Sequence, residues 1–139
     1  MDKTILVAVD NSKFMEKNIG YACDMAKSTG SKLTLVHIVT LPMVMQPAVP
    51  LDPKPFEEAG SKILEEAKQI AAGKGVEADT KLATVFGNPA QEILKAAEEG
   101  RYDLIIIGAR GHSLLRNLMI GSVADTVVRN ASCPVLVVR

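Results

Sequence analysis

The sequence predicts a doubly wound α/β fold, with five parallel strands in the order 3-2-1-4-5 and four helices as crossovers. Two observations lead there. Short β-branched or aliphatic runs alternate along the chain with longer segments whose apolar residues recur at helical spacing. The runs are apolar on successive residues, as strands buried on both faces are, and parallel strands require a crossover between them. The strand order follows from economy and from the placement of unusual chemistry at the ends of the first and fourth runs.

Thr4 to Val9, closed by Asp10, is the first strand. Asn11 or Ser12 can accept a hydrogen bond from a helix N–H, and Ile19, Ala22, Cys23 and Ala26 then mark the buried stripe of a helix over residues 13 to 29, stopped by Gly30. Lys32 to Val39 is the second strand. Phe56, Gly60, Ile63, Leu64, Ala67, Ile70 and Ala71 share one face of the second helix, which ends near Gly73 to Gly75 and carries Glu57 and Glu58 in its first turn. Val76 to Phe86 alternates as a third strand, and Asn88-Pro89 combines a cap with a proline suited to a first helical turn. Ile93, Leu94 and Ala97 are the stripe of that third helix, ended by Gly100. Leu104 to Ile107 is the fourth strand, Ser122 to Asn130 the fourth helix and Val135 to Val138 the last strand.

Composition narrows the function. A chain of 139 residues is the length of a single domain, taken as residues 1–139, and 47% apolar with 23% charged residues is a globular balance. Sixteen basic against sixteen acidic residues leave no positive field for a polyanion, and 4% aromatics give little to stack bases on. Neither a nucleic-acid nor a membrane partner is expected. The N-terminal apolar run is too short for a signal peptide, and no stretch approaches the roughly 20 apolar residues of a membrane helix, so a cytoplasmic protein is expected. Cys23 and Cys133 form no Cys-x-x-Cys or zinc pattern and read as reduced, buried thiols.

Ligands of doubly wound sheets bind beyond the carboxyl ends of the strands, where the strand order reverses. In this order the crevice lies between strands one and four. Asp10 closes the first, and Gly108-Ala-Arg-Gly111-His-Ser-Leu-Leu-Arg-Asn-Leu-Met-Ile-Gly121-Ser122-Val123 follows the second. Gly108 and Gly111 can adopt positive φ and let backbone approach an anion, and Gly121-Ser122 opens a helix whose free N–H groups favour phosphate. Arg110, His112 and Arg116 can add charge-assisted bonds or stand in solvent. Asp10 reads as a ribose or metal ligand, or as the cap of the first helix. His37 on its apolar strand reads as a hydrogen-bonded structural histidine. Ser113 and Ser122 have no His-Asp partner in sequence and are not read as nucleophiles. Thr40 to Leu51, apolar but without helical or strand spacing, is either a surface loop or a lid or partner-binding segment.

The pattern G-x-x-G-x9-G-S over Gly108 to Ser122 resembles the ATP-binding signature of the universal stress protein family. Ile5 to Ser12 resembles that family's opening strand and D-x-S turn, Leu35-Val36-His37-Ile38 its second strand, Gly87-Asn88-Pro89 its G-x-P, and Ser132 to Val138 its last strand. The resemblance implies an adenine nucleotide alpha hydrolase-like fold and ATP in the crevice, accompanied at most by Mg²⁺ or Mn²⁺ at Asp10. Asp10 would meet the ribose or adenine side, with Ala8 and Val9 as neighbouring backbone. Ile38 would pack near adenine. Ile107, Gly108, Gly111, Gly121, Ser122 and Val123 would surround ribose and phosphates, with Arg110 and His112 beside them. Ala124 stands where ATP-binding relatives often carry a hydroxyl. The implied function is a nucleotide-dependent stress-response or signalling module with a protein partner not identified by the sequence. A slow ATPase or phosphotransferase and a nucleotide-independent interaction module are the alternatives. The family's habit of pairing its last strand across a two-fold axis implies a homodimer through Val135 to Val138, which would otherwise be an open sheet edge.

Overall fold

A computed structural model describes residues 3–42, 51–109 and 120–139. Its elements run β1 (Thr4–Ala8), α1 (Met15–Thr29), β2 (Lys32–Leu41), α2 (Lys54–Gly73), β3 (Asp79–Phe86), α3 (Pro89–Glu99), β4 (Leu104–Gly108), α4 (Ser122–Asn130) and β5 (Val135–Val138). The strands form one parallel sheet in the expected order β3-β2-β1-β4-β5. Helices cover both faces. One core packs α1 and α2 against the sheet through Ile19, Cys23, Leu64 and Ala67, and the other packs α3 and α4 through Ile93, Ala96 and Val127. Leu6, Val7, Leu35, Val36, Ile105 and Ile106 are fully buried between them, which is why these strands read as continuous aliphatic runs. Cys23 is buried as expected, whereas Cys133, in the connection between α4 and β5, is only half-buried; both are free thiols.

Several boundaries differ from the periodicity, each for a local reason. β1 ends at Ala8 rather than Val9, although the Val9 N–H still donates to the Val36 carbonyl at 2.8 Å. Helix α1 starts at Met15 rather than residue 13, and no side chain among the described residues caps it. Asp10 Oδ1 instead accepts from the Ser12 N–H at 3.0 Å, and Ser12 Oγ from the Phe14 N–H at 3.2 Å, so these polar side chains build the turn leading into the helix. β3 begins at Asp79 rather than Val76 because the preceding residues finish α2. Gly75 takes φ +85°, its N–H donates to Ala72 and that of Val76 to Ala71, a left-handed helix stop that consumes the chain before it can extend. Phe56, placed on the buried stripe of α2 by spacing, is 38% exposed in its first turn. β2 runs on to Thr40 and Leu41, which pair with Val85 and Phe86, so the apolar segment expected from Thr40 begins as strand. Residues 43–50 of that segment lie outside the described residues.

Two contacts set how the elements lie on the sheet. Asn88 caps α3, its Oδ1 accepting from the Ala90 N–H at 2.9 Å ahead of Pro89 in the first turn. Gly60 lets α2 approach β2 and β3 closely: a Cβ there would lie 2.8 Å from Val39 Cγ2, 3.0 Å from Leu82 Cδ1 and 3.1 Å from His37 Cδ2.

Candidate functional site

β1 is flanked by β2 on one side and β4 on the other, so the chain reverses its direction of winding there and the strand ends splay apart. Backbone bonds hold the rim of the resulting cleft. The Ala109 N–H donates to the Val138 carbonyl at 2.7 Å, and the Gly121 N–H donates to the Ala109 carbonyl at 2.6 Å, which brings the start of α4 beside the end of β4. On the other side, His37 Nδ1 lies 2.8 Å from the Val9 carbonyl oxygen. A carbonyl only accepts, so Nδ1 carries a proton and donates it in this bond. The expected structural histidine is thus found, and its bond fixes the point at which the chain leaves β1.

The cleft has a volume of about 520 Å³, inside the range of about 300–1,000 Å³ common for small-molecule sites. Ala8, Val9, Asp10, Ile38, Ile107, Gly108, Gly121, Ser122 and Val123, all singled out from sequence, line this one cavity. Arg110, Gly111 and His112 lie outside the described residues, as do Ser113 and Arg116. Gly108 does not use the positive φ open to a glycine: it is the last residue of β4, paired with Val138, because the sheet extends one residue further than the aliphatic run. Gly121 occupies the N-cap position of α4 with φ −58° and ψ 155°, and no side chain among the described residues caps that helix. The N–H groups of Ser122, Val123 and Ala124 therefore face the cleft end of α4 without intrahelical partners, and the first helical bond is Asp125 N–H to Gly121 carbonyl. Asp125, a negative charge in this first turn, is turned along the helix to Arg129, whose Nε lies 3.0 and 3.1 Å from its two oxygens.

Other lining residues were not singled out by sequence reasoning as parts of a site. Val36, Ile63 and Ile93 make the apolar wall, Thr40 and Pro89 stand at the strand ends, and Asn11 and Asn18 come from the α1 side. Asn18 had a signal in the pattern: it lies four residues before Ala22, on the buried stripe of α1, where an amide is out of place. It is 4% exposed, and its Oδ1 has no hydrogen-bond partner among the described residues. Among the described residues there is also no group of three or more His, Cys, Asp or Glu side chains able to hold a metal, and no helix long and apolar enough to cross a membrane.

Comparison with known proteins agrees with this arrangement. The model of the universal stress protein family matches residues 1–139. The chain belongs to that family. Universal stress protein YxiE of Bacillus subtilis is 37% identical over 150 residues, covering 100% of both chains. Universal stress protein MJ0531 of Methanocaldococcus jannaschii is 33% identical over 99% of this chain and 82% of its own. Among solved structures, a universal stress protein from Archaeoglobus fulgidus superposes with a TM-score of 0.79 at 28% identity over 100% of both chains. An Archaeoglobus fulgidus universal stress protein in complex with dAMP gives 0.75 at 28% identity over 99% and 98% of the two chains. A universal stress protein in complex with cAMP gives 0.73 at 25% identity over 99% and 97%. The fold shared with these universal stress proteins is the adenine nucleotide alpha hydrolase-like fold.

Proposed function

We propose that this universal stress protein binds an adenine nucleotide, ATP above all, in the cleft between β1 and β4, and acts as a nucleotide-dependent stress-response module. The observation that carries the reading is the N-terminus of α4 opening, without a side-chain cap among the described residues, into a cleft with an apolar wall, so that one cavity offers anion donors at one end and a surface for a base at the other. The relatives bound to dAMP and cAMP support adenine as the base. Ser122, Val123 and Ala124 would donate backbone N–H groups to phosphate oxygens, with Gly108 and Gly121 permitting close approach. Ile38 and Ile107 would pack on the base and sugar, and Asp10, beside the backbone of Ala8 and Val9, would accept from the ribose. Arg110, Gly111 and His112 belong to the same proposed site on the strength of the sequence pattern. A Mg²⁺ or Mn²⁺ ion would be held mainly by the phosphates, with Asp10 as the carboxylate; magnesium sites of this kind need only one or two protein carboxylates. A second copy of the chain is proposed to pair along β5, where Val135, Leu136 and Val137 stand half-buried at the sheet edge.

Calorimetric titration of nucleotide-stripped protein with Mg-ATP tests the reading. One nucleotide per chain is expected, with about 2.7 kcal/mol of added stability at 100 times the dissociation constant. Gly121→Val, which places a branched side chain at the phosphate end, should abolish binding and leave helix content unchanged. No heat up to millimolar ATP, or full binding by Gly121→Val, would overturn the assignment. Following the bound nucleotide over time then separates a switch from a slow ATPase.

A further inference from the structure

One buried side-chain oxygen in the cleft finds no hydrogen-bond partner among the described residues. Asn18 sits on α1 with Met15, Ile19 and Ala22, all buried, and is itself 4% exposed, yet its Oδ1 is without a hydrogen bond to any described residue and the side chain's residue lines the cavity. A buried amide left unpaired is costly, and such a group is kept at a site when something else completes it. We propose that Asn18 is a specificity-determining residue of the nucleotide site, hydrogen-bonding a ribose hydroxyl of the bound ligand; this rests on the nucleotide reading above.

Position and chemistry both favour the sugar. Val36 and Ile38 pack on the α3 and α4 side of the sheet, the side that also carries the phosphate donors of α4, whereas Ile63 and Asn18 reach the cavity from α2 and α1 on the other side. α1 packs across β1 and β4, and Asn18 lines the cavity from that helix together with Asp10 and Asn11 of the connection that leads into it. A carboxamide presents an acceptor oxygen on one side and a donor nitrogen on the other, and its terminal torsion is broad. A hydroxyl, which donates and accepts, is the nucleotide group that pairs with either side. A phosphate oxygen only accepts and cannot satisfy Oδ1; the adenine amino group donates, but a base packed on Val36 and Ile38 lies on the α3 and α4 side of the sheet, away from α1.

The test compares ATP, 2′-deoxy-ATP and 3′-deoxy-ATP by calorimetry on wild type, Asn18→Leu and Asn18→Ala. Wild type should bind the analogue lacking the hydroxyl paired with Asn18 about fivefold more weakly than ATP, the size of one net hydrogen bond, and that analogue is the one whose deficit disappears in the Asn18 variants, a deficit due to Asp10 persisting in them. Which analogue it is identifies the hydroxyl. Both variants should lose that discrimination and treat the analogue and ATP alike. Asn18→Leu, near in volume and without the unpaired amide, should also unfold at a temperature no lower than wild type in the absence of nucleotide; Asn18→Ala keeps the binding test available should leucine disturb the packing. Equal binding of all three nucleotides by wild type, or undiminished discrimination in the variants, would overturn the role of Asn18 while leaving the nucleotide site standing. Failure of wild type to bind any of the three would remove the site and this role together.

Discussion

Replacing Gly60 by alanine should destabilise the protein even though alanine is the better helix former. In the middle of a helix, Gly→Ala normally gains about 1 kcal/mol, because glycine surrenders more backbone freedom on folding. At Gly60 the added Cβ would stand 2.8 Å from Val39 Cγ2, 3.0 Å from Leu82 Cδ1 and 3.1 Å from His37 Cδ2. Leu82 can swing, but Val39 is β-branched and stiff at its first torsion, and His37 is tied to the Val9 carbonyl. Relief requires α2 to lift from the sheet, and overpacking of this kind costs about 1–3 kcal/mol. The net change is then a loss of about 1 kcal/mol, or about 4 °C in Tm for a chain of this length. Gly20 in α1 is the control, since a Cβ there meets only the Lys74 side chain, with Cε at 3.7 Å, an ordinary contact. Gly20→Ala should gain the full propensity term. Urea denaturation of the two variants therefore isolates the steric cost as their difference, about 1–3 kcal/mol. Gly60→Ala matching or exceeding Gly20→Ala in stability would refute the close approach of α2. Because Ile63, one turn on, lines the cleft, Gly60→Ala should also weaken Mg-ATP binding, whereas Gly20→Ala should not.

Asp10→Asn keeps an oxygen to accept the Ser12 N–H, so stability in urea should stay within about 0.5 kcal/mol of wild type. Its affinity for Mg-ATP should nevertheless fall about tenfold or more, as a charge-assisted bond to the ligand is lost, and unchanged affinity in calorimetry would confine Asp10 to the turn. Burial raises the Cys133 thiol above its ordinary pKa, and burial likewise raises Cys23 against the opposing charges of Lys27 and Lys74. The thiolate is the reactive form, so at pH 8 both should react with Ellman's reagent more slowly than a free thiol, and the rate should keep climbing at pH values where a free thiol has levelled off; two fast-reacting thiols in the native protein would contradict this.

The sheet and its order were legible because buried parallel strands announce themselves as unbroken aliphatic runs, such as Ile5 to Val7 and Ile105 to Ile107, and because the doubly wound arrangement leaves few alternatives. The ends of elements were less legible. Asp10, Ser12 and Asn88 are all good capping residues, yet only Asn88 caps a helix, and nothing in composition separates it from the two that build a turn. Val76 has every strand-like property but is spent closing α2, because Gly75 turns the backbone left-handed just before it. For the cleft, the residues at strand ends and at the start of α4 could be placed from the glycine spacing and the family resemblance it carries. Ile63 and Ile93 could not, since they reach the cavity from helix faces that serve mainly as core, and a one-dimensional pattern does not distinguish the last core residue from the first lining one; Asn18 differed only in being an amide on such a face.

That overlap also explains how the cleft divides its work. Its outline depends on main-chain bonds at the strand ends: Val9 N–H to Val36, His37 to the Val9 carbonyl, Ala109 N–H to Val138 and Gly121 N–H to Ala109. Three of these four use no side chain, so substitutions along the rim leave the shape of the opening in place as long as the sheet persists. The sheet in turn is held by side chains such as Leu6 and Ile106, fully buried away from the cavity lining. Core and cleft nevertheless share side chains, since Val9, Val36, Ile93, Ile107 and Ala124 are at once buried core and cavity lining; Gly60, through its approach to His37, and Asn18, a core position whose polar group turns to the cleft, are where that sharing is put to test. Changes at these two positions are the ones expected to move stability and ligand preference together, which is why each is tested with both readouts.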